Sequence, residues 1–326
     1  MKIIKNKNSS TVFSVAVVLL LISVFAFMEP RFLNIANISN LLRDTAPLMI
    51  MAAGMTPILL LGSIDLSVGA LCSALNVLVL QILMWLVENG TFNSVLAMVL
   101  ACLITLILAT LAGITLGTIH VKTKVPSFIA SLAFMSIWSS VALLISSASI
   151  ALPFHLWGVI AWYNVSFGPV GLPLIITLFI IACYYIVLTR TPFGRGVYAI
   201  GGNERAARLS GIPVDKIKIT VFAINGFTTS LGAILLMAHG RSAAPTAGNE
   251  FTLMVISAVV LGGTSLVGGS GSILNTVVGV FIVAIIRNGM NIIGVDVFWQ
   301  NIVYGTIILF AIALNTDRSI RSFVVK

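Results

Sequence analysis

Apolar residues run in ten long stretches, at about 11–28, 46–62, 68–87, 93–119, 125–149, 168–189, 219–240, 251–266, 271–292 and 298–315. Most approach or exceed the ~20 residues with which an α-helix crosses a bilayer core of ~30 Å. Short polar breaks separate them, and one longer polar segment covers 190–218. The pattern predicts an all-α polytopic membrane protein of about ten transmembrane helices. It forms one domain over 1–326, with 190–218 as a cytoplasmic segment inside it.

Composition agrees. Hydrophobic residues make up 59% of the 326 positions and charged ones 8%, with mean hydropathy +1.13. A soluble domain is about a quarter charged. Ten spans use about 200 residues, so no loop is long enough for a soluble catalytic domain of ~50–200 residues. No catalytic residue and no cofactor are expected in this chain. Whatever chemistry drives it belongs to a partner.

The net charge of +9 is topogenic rather than a nucleic-acid signature. With the N-terminus inside, the inner face receives Lys2, Lys5, Lys7, Lys122, Lys124, Arg190, Arg195, Arg205, Arg208, Lys216, Lys218, Arg318, Arg321 and Lys326. That is 14 of 18 basic residues. Arg31, Arg43, Arg241 and Arg287 fall outside or near outer helix ends. The positive-inside rule therefore selects N-in and C-in, with an even number of spans. Residues 1–28 have the basic start and apolar run of a signal peptide but no A-x-A-like exit, and read as an uncleaved first helix. Cys72, Cys102 and Cys183 sit in apolar runs as small hydrophobes. His120, His155 and His239 have no i, i+4 partner, so no metal site is expected. Sequons at Asn37, Asn89 and Asn164 carry no assigned function.

Ala109, Gly113 and Gly117 place small residues at four-residue spacing, which lets a neighbouring helix approach closely. Pro57 and Pro126 would kink or start helices. The segment RTPFGRGVYAIGGNERAARLSGIPVDKIK (190–218) contains a complete short-helix signature. Asn203 is an N-cap, Glu204 favours the first turn and pairs with Arg208, Gly211 suits C′, and Pro213 prevents continuation. A helix over 204–210 follows. Alone it would be marginal in water, so it reads as a docking element as much as a solvated loop.

Two Gly-rich breaks, GSIDLSVGA (62–70) and GGTSLVGGSGS (262–272), lie on the predicted inner side. Asp65 either caps the next helix or lines a pathway, because ionisable groups at membrane depth suggest function. Backbone broken at depth must face protein or water, as in broken-helix transporters. Neither break contains G-x-x-x-x-G-K-[ST], so the chain has no phosphate loop.

These pieces, with PTAGNEF (245–251) and NGMNIIGVDVFWQ (288–300), resemble the permease subunits of ribose-type bacterial ABC importers from about residue 30 to 315. Ser63 stands where that family usually has Gly, and Asn275 likewise. The resemblance implies a multi-pass protein of the bacterial inner membrane that takes a monosaccharide from an extracytoplasmic sugar-binding protein. It also implies a second permease copy, identical or not, surrounding lipid, and ATP-binding cassette subunits beneath. Carried over residue by residue, the ATPase-coupling positions are Gly194, Arg195, Gly201, Gly202, Asn203, Glu204, Ala206, Ala207, Arg208, Gly211 and Ile212. Pathway candidates are Asp65, Ser67, Asn225, Asn288 and Asn291, with helix–helix hydrogen bonding as the alternative role for the three asparagines. Rival readings are a related permease for branched-chain amino acids or nucleosides, an ion-coupled secondary transporter, and a membrane scaffold without transport.

Overall fold

The computed structural model describes residues 7–90 and 92–315. The topogenic residues Lys2, Lys5, Arg318, Arg321 and Lys326 lie outside them. The described chain is a bundle of helices: α1 (Lys7–Met28), α2 (Ile35–Leu60), α3 (Val68–Glu88), α4 (Ser94–Thr123), α5 (Ser127–Ile145), α6 (Leu172–Arg190), α7 (Pro192–Gly202), α8 (Glu204–Leu209), α9 (Val214–Gly240), α10 (Phe251–Leu261), α11 (Ile273–Ile292) and α12 (Val297–Asn315). Among the described residues, six are long and apolar enough to cross a membrane: α3, α4, α5, α6, α9 and α11.

The central helix is α2, whose residues 45–60 are all buried. A helix apolar all round belongs in the middle of a bundle, and here α9, α11, α10 and α6 surround it. It begins eleven residues before the apolar stretch does. Asn34 caps it by accepting from the Ala36 N–H at 3.0 Å, and its polar first turns bond across to α11 through Asn37. Hydropathy does not register those turns, because tertiary partners satisfy them. Further along, the Thr56 and Thr276 hydroxyls meet at 2.9 Å to tie α2 to α11.

The most extensive helix contact joins α4 to α9. The small-residue stripe makes it possible. A Cβ on Gly113 would strike the Phe222 carbonyl, and one on Gly226 the Ala109 carbonyl. Without a hydrophobic force between helices in lipid, such close backbone approach supplies the packing energy. Pro126 stands directly before α5, while Pro57 is absorbed inside α2.

Three elements depart from the apolar pattern. First, α10 has only 11 residues, about 17 Å of helix, so the stretch 251–266 is not a full-length span. The irregular segment 241–250 leads into it, and α3 satisfies that segment's backbone. Gly248 N–H donates to Ser73 Oγ at 2.8 Å and Ala244 N–H to Asn76 Oδ1 at 3.0 Å. Second, residues 146–171 fold into a cap containing a 3-10 helix over Phe154–Asn164. Strand β1 (Ile150–Ala151) pairs antiparallel with β4 (Ser242–Ala243), and β2 (Ser166–Phe167) with β3 (Val170–Gly171). Third, α7 was not legible: its eleven residues include four glycines, which suppress helix propensity.

Candidate functional site

At one end of the bundle α7, α8 and both Gly-rich breaks meet. Thr191 caps α7 by accepting from the Gly194 N–H at 3.3 Å, and Pro192 occupies its first turn. The helix then runs into α8 through Asn203, whose side chain accepts from the Ala206 N–H at 3.0 Å. At the far end Gly211 takes φ +81°, and Ile212 N–H returns to the Ala207 carbonyl at 3.1 Å. That closing bond is the Schellman pattern, which needs a residue able to adopt the left-handed conformation. The local signals placing a helix at 204–210 therefore produce one at 204–209.

Charge locks this turn to the start of α9. Arg208 Nη2 lies 3.3 Å from Glu204 and 2.7 Å from Asp215, and Lys218 Nζ lies 2.6 Å from Glu204. Burial opposes ionisation of Glu204, but its hydrogen bonds and attraction to Lys218 and Arg208 outweigh that. Its carboxyl is held below the usual carboxylate range. Asp215 and Lys218 complete a network of which the i, i+4 pair alone was readable. Arg195, Asn203, Glu204, Ala206, Arg208 and Gly211 face outward, whereas Gly194 and Ala207 are buried and Ile212 is half-buried. Leu209 projects from α8 with 83% of its surface exposed.

On its inner side α7 rests on the end of α2 and on the second break at once. A methyl group on Gly201 would run into the Leu60 carbonyl oxygen and lie 2.6 Å from Gly269 N. Gly269 N–H donates to that same Leu60 oxygen at 2.8 Å, and Tyr198 Oη donates to the Gly271 carbonyl at 3.0 Å. The end of α2, the 262–272 break and the last turn of α7 thus share one junction. Gly202, the next residue, has open space where a Cβ would be.

The 61–67 break is tied down just above this junction. Asp65, 4% exposed, accepts from Ser67 N–H at 2.8 Å, Ser67 Oγ at 2.6 Å and Asn225 Nδ2 at 2.8 Å. Its Ser67 bond falls one residue before α3 begins, so it closes a turn rather than capping the helix. Ser127 and Ser131 accept the Ile64 and Leu66 N–H groups, each at 3.0 Å, and Thr252 accepts from Gly69 N–H at 3.0 Å. Side chains of α5 and α10 thus supply the acceptors that these backbone donors need inside a bundle. The serines and Thr252 gave no sequence signal, because each partner lies more than 60 residues away.

Of the pathway candidates, Asp65, Ser67 and Asn225 form one buried cluster, while Asn288 and Asn291 lie near the other end of α11. Asn288 exchanges two hydrogen bonds with Asn37, at 2.9 and 3.0 Å, and Asn291 Oδ1 accepts from Gln300 Nε2 at 2.6 Å. Every one of the three asparagines makes an interhelical or inter-element bond.

Residues 37–312 match the family described as branched-chain amino acid transport system / permease component. The ribose import permease protein RbsC of Escherichia coli (strain K12) is 36% identical over 313 residues, covering 94% of this chain and 93% of that protein. RbsC of Bacillus subtilis (strain 168) is 36% identical over 306 residues, covering 92% and 91%. The xylose transport system permease protein XylH of Escherichia coli (strain K12) is 31% identical over 381 residues, covering 98% and 95%. No solved structure matches. Similarity running nearly end to end, on a bundle of membrane-spanning helices, makes this chain a member of that family of multi-pass membrane permeases, related to the ribose and xylose import permeases.

Proposed function

We propose that the chain forms the translocation pathway of an ATP-driven importer for a monosaccharide, delivered by an extracytoplasmic binding protein. Ten crossings, one of them made by the half-length α10 together with the irregular segment 241–250, with N-in and C-in, put α7 and α8 in the cytoplasm. There a separate ATP-binding cassette subunit, which carries out all the hydrolysis, engages α8. Two permease copies enclose the pathway. The observation that carries the reading is the shared junction of α7 with Leu60 and Gly269. A push on the exposed face of α8 passes to α7 and from there, through backbone contacts, to the end of α2 and the 262–272 break.

Coupling of this kind requires that the ATPase dimer bind the two permease conformations unequally, since a partner shifts an equilibrium only by its differential affinity. The α8 face suits that task. Its cap, closing turn and ion network make it rigid, and Leu209 offers an apolar knob amid polar neighbours. Asp65 is enclosed by three donors, which favours a structural tie over the exchangeable carboxylate that ion-coupled transport would need.

The test is reconstitution of the permease with its ATPase and binding protein. ATP-dependent uptake of D-ribose or D-xylose is expected, and the doubly substituted Arg208→Glu, Gly211→Val permease should insert normally yet lose ATPase co-purification. Uptake driven by a proton or sodium gradient with no ATPase present would refute the reading. So would full co-purification and uptake by the double variant.

A further inference from the structure

At the end of the bundle away from α8, helices α2, α9 and α11 enclose a cavity of about 140 Å³. It lies beside Asp44 on α2, 16 residues from Leu60 and so roughly 24 Å along that helix from the α7 junction. Its polar lining is Asp44, Thr45, His239, Arg287, Asn288 and Asn291, and its apolar walls include Leu41 and Leu236. This is the densest gathering of ionisable groups in the described bundle outside the α8 network, and nothing in the coupling end accounts for it.

Two features show what such a lining would take. First, the ion pairs are loose. His239 Nε2 stands 3.4 Å from Asp44 Oδ1, and Arg287 Nη2 stands 3.7 Å from Glu250 Oε2. Charge-assisted hydrogen bonds close to about 2.7–2.9 Å, so these groups keep donor and acceptor capacity in reserve. Asn291 accepts from Gln300 through Oδ1, which leaves its amide protons for the cavity. Second, the lining sets one carboxyl group, Asp44, against one guanidinium, Arg287. An anion or a cation would meet an opposing charge as readily as a matching one. A neutral polyol does not. Each hydroxyl both donates and accepts, so adjacent hydroxyls can bridge a carboxylate and a neighbouring guanidinium or amide, while the C–H groups meet the apolar wall of Leu41 and Leu236.

We propose that this cavity is a low-affinity polyol subsite that receives the sugar at the outer end of the permease. Asp44 and Arg287 are its hydroxyl-binding pair, and Asn291 is a further donor. The assignment rests on the importer reading for its orientation and sugar class.

The test uses the complete transporter in proteoliposomes, with Leu236→Cys in a permease whose three native cysteines are replaced. D-ribose, D-xylose and L-leucine are each offered at millimolar concentration during labelling with a small methanethiosulfonate. Either sugar should slow labelling severalfold, with L-leucine inert. Adding Asp44→Asn should raise the half-protecting sugar concentration about tenfold, the loss expected for one hydrogen bond to a charged group. Leu41→Cys, on the same apolar wall, reports the same protection should the first cysteine variant fail to insert. Protection by L-leucine instead, protection by nothing, or an unmoved sugar dependence in Asp44→Asn would overturn the subsite. ATP-driven uptake is measured in the same vesicles, so sugar uptake without protection would sink the subsite alone, and protection without uptake would sink the importer reading alone.

Discussion

Gly201 and Gly202 are consecutive glycines at the end of α7, yet only at the first would a side chain meet a neighbouring segment, and an alanine at each separates the junction from the helix. At Gly201 the new methyl must displace the Leu60 carbonyl or the Gly269 amide. Overpacking of a tight contact costs about 1–3 kcal/mol. Losing the 2.8 Å bond from Gly269 N–H to Leu60 adds about 1 kcal/mol. At Gly202 no atom lies within 4 Å of the built Cβ. Both alanines gain up to about 1 kcal/mol of helix propensity, so this term cancels in the comparison. The difference between the variants is then about 2–4 kcal/mol, or roughly 30- to 900-fold in the equilibrium that keeps the junction closed. Thermal unfolding of the purified permease in detergent, followed by exposure of the buried thiol of Cys72, reads it directly. Gly201→Ala should melt lower than wild type, and Gly202→Ala should not. Because the isolated permease is used, a docking role of Gly202 does not enter. Equal melting of the two variants would refute the claim that α7 is seated on the end of α2 and the 262–272 break through Gly201.

Two further outcomes follow from the polar interior and the α8 network. Asp65→Ala strands the Asn225 amide and the Ser67 N–H in a buried site, at about 1–3 kcal/mol for each donor, whereas Asp65→Asn keeps an acceptor and should melt between that variant and wild type; the same thiol-exposure melts check the order. The depressed carboxyl of Glu204 means that its ion network contributes fully above the ordinary carboxylate value of 4.5 and is lost as pH falls through the lower folded value. Amide exchange in 204–209, corrected for its intrinsic pH dependence, should therefore stay protected from pH 7 to about 5 and open only in more acidic solution, and opening near neutrality would count against the network.

What the sequence determined by itself was whatever is local or periodic. Ten apolar stretches mark the main helices, and α8 could be read almost to the residue, because Asn203, Gly211 and Pro213 act within one turn of their own positions. The stripe Ala109, Gly113, Gly117 announced a close helix contact, although not that α9 would be the partner. The tertiary structure decided the rest. Leu60, Gly201 and Gly269 converge from three distant segments, and Asp65 meets Asn225 across 160 positions; no spacing rule encodes such pairs. Hydropathy also cannot distinguish a full span from α10, because a half-length helix is as apolar as a long one when Ser73 and Asn76 of α3 satisfy the polar backbone beside it. The physical reason is common to all three cases. In a membrane interior each unpaired N–H and C=O must find a partner inside the protein, and which one it finds is settled by packing rather than by neighbours in the chain.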